Sequence, residues 1–168
     1  VVDGLHDSEE IVVKPLGRHL QGSPCLAGAT ILGDGAVALI IDVAGVAGLM
    51  GLAKSKEDSA DHDQATHAEL ETQATLMFTN HPTENFGIPM AVIRRLERIR
   101  ADQLDQVGGQ LLLEYENVSL PLVTLEDHIK AKPRPEQQWL YVVIFEFNGR
   151  ELGVVVPTLN EIRDLPTN

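Results

Sequence analysis

The chain has 168 residues, 43% of them apolar, with a mean hydropathy near zero (-0.03), which excludes disorder throughout and leaves room for one domain or two small ones. Its 25 acidic against 13 basic side chains give a formal charge of -12, so nucleic acid is not an expected partner, whereas proteins or small molecules are. The only cysteine, Cys25, excludes an intramolecular disulfide; it suits a reducing compartment, by default the cytoplasm, and reads as a buried structural thiol.

The chain opens Val1-Val2-Asp3-Gly4 with neither a starter methionine nor a signal peptide, and so reads as a piece of something longer. Ile11, Val12 and Val13 form a short β-branched run closed by Pro15, which cannot donate to a sheet ladder. Residues 29–32 then meet Gly33-Asp34-Gly35, and a continuous apolar run follows over 36–43. Glycines on both sides of an aspartate allow the positive φ angles of a tight turn, so two strands fold back on each other here. The wider stretch 36–53 is apolar apart from Asp42, but Gly45, Gly48 and Gly51 interrupt it. It reads as a buried strand running into a small-residue linker, not as a membrane span, where a central aspartate would cost about 3 kcal/mol.

Residues 54–73 are polar, with Glu57, Asp58, Asp61, Asp63, Glu69 and Glu71, and bury too little surface to offset their ordering entropy. They read as a linker. From Thr75 onward the pattern is again of short strands: 76–79, 87–95, 111–115, 118–124, 140–147 and 150–156. Asn148-Gly149 between the last two is the strongest hairpin signal in the chain, and Glu116-Asn117 plays a similar part between the third and fourth. A short helical turn is expected over 102–107, stopped by Gly108-Gly109. Many short strands with frequent turns point to an all-β fold of small barrels, with only short helical turns.

No constellation for catalysis emerges. His62 and His67 lie in the acidic linker and could hold a divalent ion weakly, but a solvated charge run is the plainer reading. His81-Pro82-Thr83 reads as a loop, not as a phosphorylated histidine on a helix face. Gly33-Asp34-Gly35 lacks the strand-to-helix context and the lysine of a phosphate cradle. No serine, threonine or cysteine stands in a nucleophile elbow. Binding of ATP, metal or another cofactor is therefore not expected.

The strings EEIVVKPLG (9–17), AGATILGDG (27–35) and VALIIDV (37–43) resemble the closing half of the regulatory domain of CheA-type chemotaxis histidine kinases. FGIP (86–89), Gly108-Gly109, LPLVTL (120–125) and GRELGVVV (149–156) resemble the opening of a second copy. The resemblance covers about 1–45 and 75–163. It implies a CheW-like fold of small five-stranded barrels, divided as 1–45 (end of a first copy), 46–74 (acidic linker) and 75–168 (the first subdomain and part of the second subdomain of another copy).

The resemblance further implies a regulatory and scaffolding module that couples receptor signals to an ATP-dependent histidine kinase. Its partners would be a CheW-type adaptor, the cytoplasmic tips of chemoreceptors and the kinase domain of the same parent chain. CheW-like domains often carry Glu where this chain reads Ile93-Arg94-Arg95-Leu96, and Arg-Gly where it has Glu116-Asn117. Both charges are inverted together, which implies an ion pair with exchanged signs or, alternatively, surface scatter. Arg94, Arg95, Glu116 and Asn117 are thus the candidate partner-binding residues, with Arg95 and Glu116 expected as neighbours on adjacent strands. A free-standing adaptor or a small-molecule sensing module stays open as an alternative. Because each partial copy lacks what the other supplies, residues 11–43 are expected to dock beside 140–156 and close one barrel in permuted order.

Overall fold

The computed structural model describes residues 23–51, 72–115 and 117–166. Its strands are β1 (Leu26–Ile31), β2 (Val37–Ile41), β3 (Thr72–His81), β4 (Glu84–Pro89), β5 (Ile93–Arg100) and β6 (Leu104–Val107), then β7 (Gln110–Tyr115), β8 (Val118–Thr124), β9 (Trp139–Phe147), β10 (Arg150–Val156) and β11 (Thr158–Pro166). Two short helices join them, α1 (Val43–Leu49) and α2 (Leu125–His128). The strands form two sheets, of order β1-β2-β4-β3-β11 and β5-β9-β10-β8-β7-β6.

Turn chemistry sets the hairpins. Asp34 Oδ1 accepts the Ala36 N–H at 2.9 Å, and Gly35 takes φ +82°, which closes β1 onto β2. Asn148 and Gly149, at φ +52° and +75°, form the two-residue loop expected between β9 and β10, where Phe147 stands opposite Arg150.

The alternation of side chains shows how the sheets pack. On β9, Leu140, Val142 and Ile144 face inward with Ile99, Leu113, Leu120, Leu122 and Val155. The opposite face, Val143 and Phe145, packs with Leu152, Val154 and Val156 of β10 against Phe78, Phe86, Ile88 and Ile41 of the other sheet. Strands buried on both faces read as continuous apolar runs, which is why 140–147 shows little alternation. The first sheet has its own smaller interior of Leu32, Ala38, Ile40, Met77 and Leu165. The outer faces of two curled sheets thus meet in one shared core.

Several expectations are corrected. Residues 43–49 form a helix where a strand end running into small residues is expected: Asp42 Oδ1 accepts the Ala44 N–H at 3.0 Å and caps α1, whose Val46 and Ala47 enter the shared core. The helical turn expected over 102–107 shrinks to a 3-10 turn at Ala101–Gln103, because residues 104–107 pair with β7 through the two positive-φ glycines, Gly108 and Gly109. The single strand expected over 87–95 breaks at a 3-10 turn, Met90–Val92, where the chain passes from one sheet to the other. β11 had no counterpart among the expected strands.

The N-terminal segment does join the second block, but not at 140–156. β9 lies between β5 and β10, and β10 between β9 and β8, so neither has an edge to offer. β2 pairs in parallel with β4 instead, Leu39 opposite Phe86, and reaches β9 and β10 only by face-to-face packing. Residues 11–13, His62 and His67 lie outside the described residues, as does most of the linker.

Candidate partner-binding site

The pairing of β8 with β10 is parallel, Leu122 opposite Gly153 and Val123 opposite Val154. Each of these strands follows a tight turn, so the parallel pairing brings both turns to the same end of the second sheet. There Asn117, at φ +65°, ends the β7–β8 turn, and Asn148-Gly149 makes the β9–β10 turn. Between them opens a cleft of about 440 Å³ lined by Arg95, Tyr115, Val118, Pro121, Arg150 and Glu151, among others.

Arg95 reaches this cleft because β5 is irregular at its start. Ile93 stands opposite Phe145 and Arg95 opposite Ile144, so Arg94 is an extra residue on its strand. Such a bulge bends the strand and re-aims the side chains beside it. Arg95 Nη2 lies 3.3 Å from Glu151 Oε2, and its Nε lies 3.8 Å from Glu97 Oε1. Its guanidinium stands 4.6 Å above the centre of the Tyr115 ring. The buried Nε has no hydrogen-bond partner among the described residues. Arg94 Nη2 lies 3.4 Å from Glu146 Oε2 in an exposed pair.

Of the four sequence candidates, Arg95 and Asn117 belong to this end of the sheet, Arg94 sits on its flank, and Glu116 lies outside the described residues. The expected pairing of Arg95 with Glu116 lies outside the described residues; β9, β10 and β8 separate β5 from β7 in the sheet. Arg95 meets Tyr115 across the curl of the sheet instead. Tyr115, Glu151 and Arg150 went unnoticed in the sequence. Glu151 could have been found, since an Asn-Gly hairpin fixes its register opposite Glu146. Tyr115 could not, because only the curvature of the sheet brings it to Arg95.

The cleft offers charge, a stacked aromatic and the exposed Val118 at a rim of two turns. That arrangement suits contact with a protein surface. Among the described residues no group of three or more His, Cys, Asp or Glu is placed to hold a metal. His81, expected in a loop, is the last residue of β3, and its Nδ1 lies 3.0 Å from Thr83 Oγ1 beside the β3–β4 turn. Among the described residues no helix is long and apolar enough to cross a membrane.

Comparison with known proteins agrees in kind. Residues 1–49 and 75–168 match the family model of the CheW-like domain. Chemotaxis protein CheA of Treponema pallidum (strain Nichols) is 56% identical over 43 residues, which is 26% of this chain and 5% of that protein. Sensor histidine kinase CheAY of Helicobacter pylori (strain ATCC 700392 / 26695) is 46% identical over 55 residues, 33% of this chain and 6% of that protein. Chemotaxis protein CheA of Bacillus subtilis (strain 168) is 55% identical over 42 residues, 25% of this chain and 6% of that protein. The matched stretch is thus a small part of each relative. Among solved structures, scaffolding protein TtCheW from Thermoanaerobacter tengcongensis aligns with a TM-score of 0.49 at 13% identity, over 58% of this chain and 68% of that one. The chain belongs to the CheW-like domain family.

Proposed function

We propose that the chain is a regulatory and scaffolding module of a chemotaxis-type two-component histidine kinase. It couples receptor signals to the kinase through protein contacts and carries no catalytic step itself. The observation that supports this most is the CheW-like match over both blocks together with the CheA relatives. The parent would be an ATP-dependent kinase in the cytoplasm. A CheW-type adaptor, chemoreceptor tips and the parent's kinase domain are the partners. Residues 1–45 close one copy of the domain, 46–74 link, and 75–168 open the next.

Arg94, Arg95, Glu116 and Asn117 are assigned to the partner contact, with Arg95 held at the cleft by Glu151 and Tyr115. The test is retention of a purified CheW-type adaptor by the immobilised chain. Retention is expected, with a loss of about tenfold for Arg95→Glu, since truncating or reversing an interfacial charge acts through the pairs it breaks. If the adaptor and receptor tips both fail to bind the folded chain, the reading is wrong.

A further inference from the structure

β5 reverses the charge of the chain. Arg94, Arg95, Arg98 and Arg100, four of the 13 basic residues, fall within its eight positions beside one acid, Glu97, in a protein of net charge -12. The bulge at Arg94 commits Arg94 and Arg95 to Glu146 and Glu151. Beyond it, Leu96, Arg98 and Arg100 alternate onto the outer face and stand opposite Val143, Tyr141 and Trp139.

This face is open. Leu96 is 40% and Trp139 41% exposed, and both arginines are exposed. The Arg98 guanidinium lies 4.4 Å above the Trp139 ring and has no carboxylate at ion-pair distance among the described residues. Stacking on indole leaves the edge of a guanidinium and its N–H donors free for a carboxylate. Among the described residues the Arg100 guanidinium pairs with Asp102, which is itself exposed.

We propose that the outer face of β5, with Trp139 of β9, binds an acidic, extended segment of a partner protein. Alternate residues of a strand recur every ~6.8 Å on one face, so Leu96, Arg98 and Arg100 make a row of one apolar and two cationic positions at that repeat. An extended segment with one apolar residue and two carboxylates at alternate positions has the same repeat. A nucleic acid is disfavoured, because its dense phosphates would meet the acidic remainder of the chain as well as this one basic strip. The proposal rests on the reading of the chain as a binding module, but it uses a surface other than the Arg95 cleft.

Trp139 is the only tryptophan, so its fluorescence reports the site directly. The full chain is titrated with a short capped peptide carrying one valine and two glutamates at alternate positions among serines. A saturable change is expected, weakened about tenfold between low and high salt because the pairs are exposed. Arg98→Glu, on an exposed side chain, abolishes it, while Arg163→Glu on β11 leaves it within a few-fold. No saturable change, an equal response to the peptide with lysines for glutamates, or tighter binding of a single-stranded oligonucleotide would overturn the proposal. If the peptide fails while the chain still retains the adaptor, this surface is excluded and the coupling function stands.

Discussion

Asn80 of β3 and Glu126 of α2 join the two sheets: the buried amide donates from Nδ2 to Glu126 Oε2 at 3.2 Å. The same nitrogen donates to the Lys132 carbonyl at 2.9 Å, and Glu126 holds Arg134 with its other oxygen. The Lys132 N–H in turn donates to Glu84 at 2.9 Å. A stretch without regular structure, 131–137, thereby finds partners for polar groups that would otherwise lie against the core. Asn80→Ala should lower the unfolding free energy by about 1–3 kcal/mol, the cost of stranding such groups, and Asn80→Asp by more, since a second carboxylate would face Glu126. Urea melts decide it, and a change below about 0.5 kcal/mol would place this network outside the stabilising set.

Val143 is fully buried on the face of β9 that meets the first sheet. An aspartate there has no cation to pair with in that apolar cluster and costs several kcal/mol. Val143→Asp should abolish cooperative melting. A melting temperature within a degree or two of the parent would contradict the shared core.

Gly45 lets α1 lie directly on the segment before β1. A Cβ there would collide with the Pro24 carbonyl oxygen, a backbone atom, so the helix must shift. Gly45→Ala should therefore destabilise by about 1–3 kcal/mol, although alanine is the better helix former. An unchanged or raised melting temperature would show that α1 does not pack as described.

Burial, and secondarily the nearby Asp42, pushes the Cys25 thiol above its usual range. The folded state keeps its proton where the unfolded chain begins to lose it, so this contribution to stability is full below about pH 8.5 and is lost as pH rises further. Stability measured by urea at pH 7 and at pH 9.5 should fall more steeply for the parent than for Cys25→Ala. Iodoacetamide should label the folded protein far more slowly than the unfolded one. Equal slopes together with rapid labelling of the folded state would mean the thiol is accessible.

Arg95 and Glu151 lie 3.3 Å apart with about a third of each side chain exposed, so solvent screens their pairing. A double-mutant cycle to alanine should give a coupling of about 0.2–1 kcal/mol, falling with added salt. The Arg95–Tyr115 cycle should give about 0.5–1 kcal/mol and resist salt better, because removing the ring also removes packing. Zero coupling in both cycles would leave Arg95 unanchored at the cleft.

Local chemistry was legible in the sequence. Glycine-flanked Asp34 and the Asn148-Gly149 pair fix their turns through φ angles that few residues adopt, and the apolar runs at 36–43, 140–147 and 150–156 announced buried strands. The family strings likewise pointed to a CheW-like fold. What lay beyond the sequence were relations between distant segments. Whether residues 43–49 continue a strand or turn into a helix depends on the Asp42 cap and on a space beside Pro24 that only a glycine fits. Where the N-terminal hairpin joins depends on which strand has an edge to offer, and that is set by the order of the whole sheet: β9 and β10 are enclosed, whereas β4 has an edge that accepts β2. The site divides in the same way. Arg94, Arg95 and Asn117 could be singled out from charge and turn signals, but Tyr115 becomes a neighbour of Arg95 only because a curled sheet brings together strands that are not hydrogen-bonded to each other.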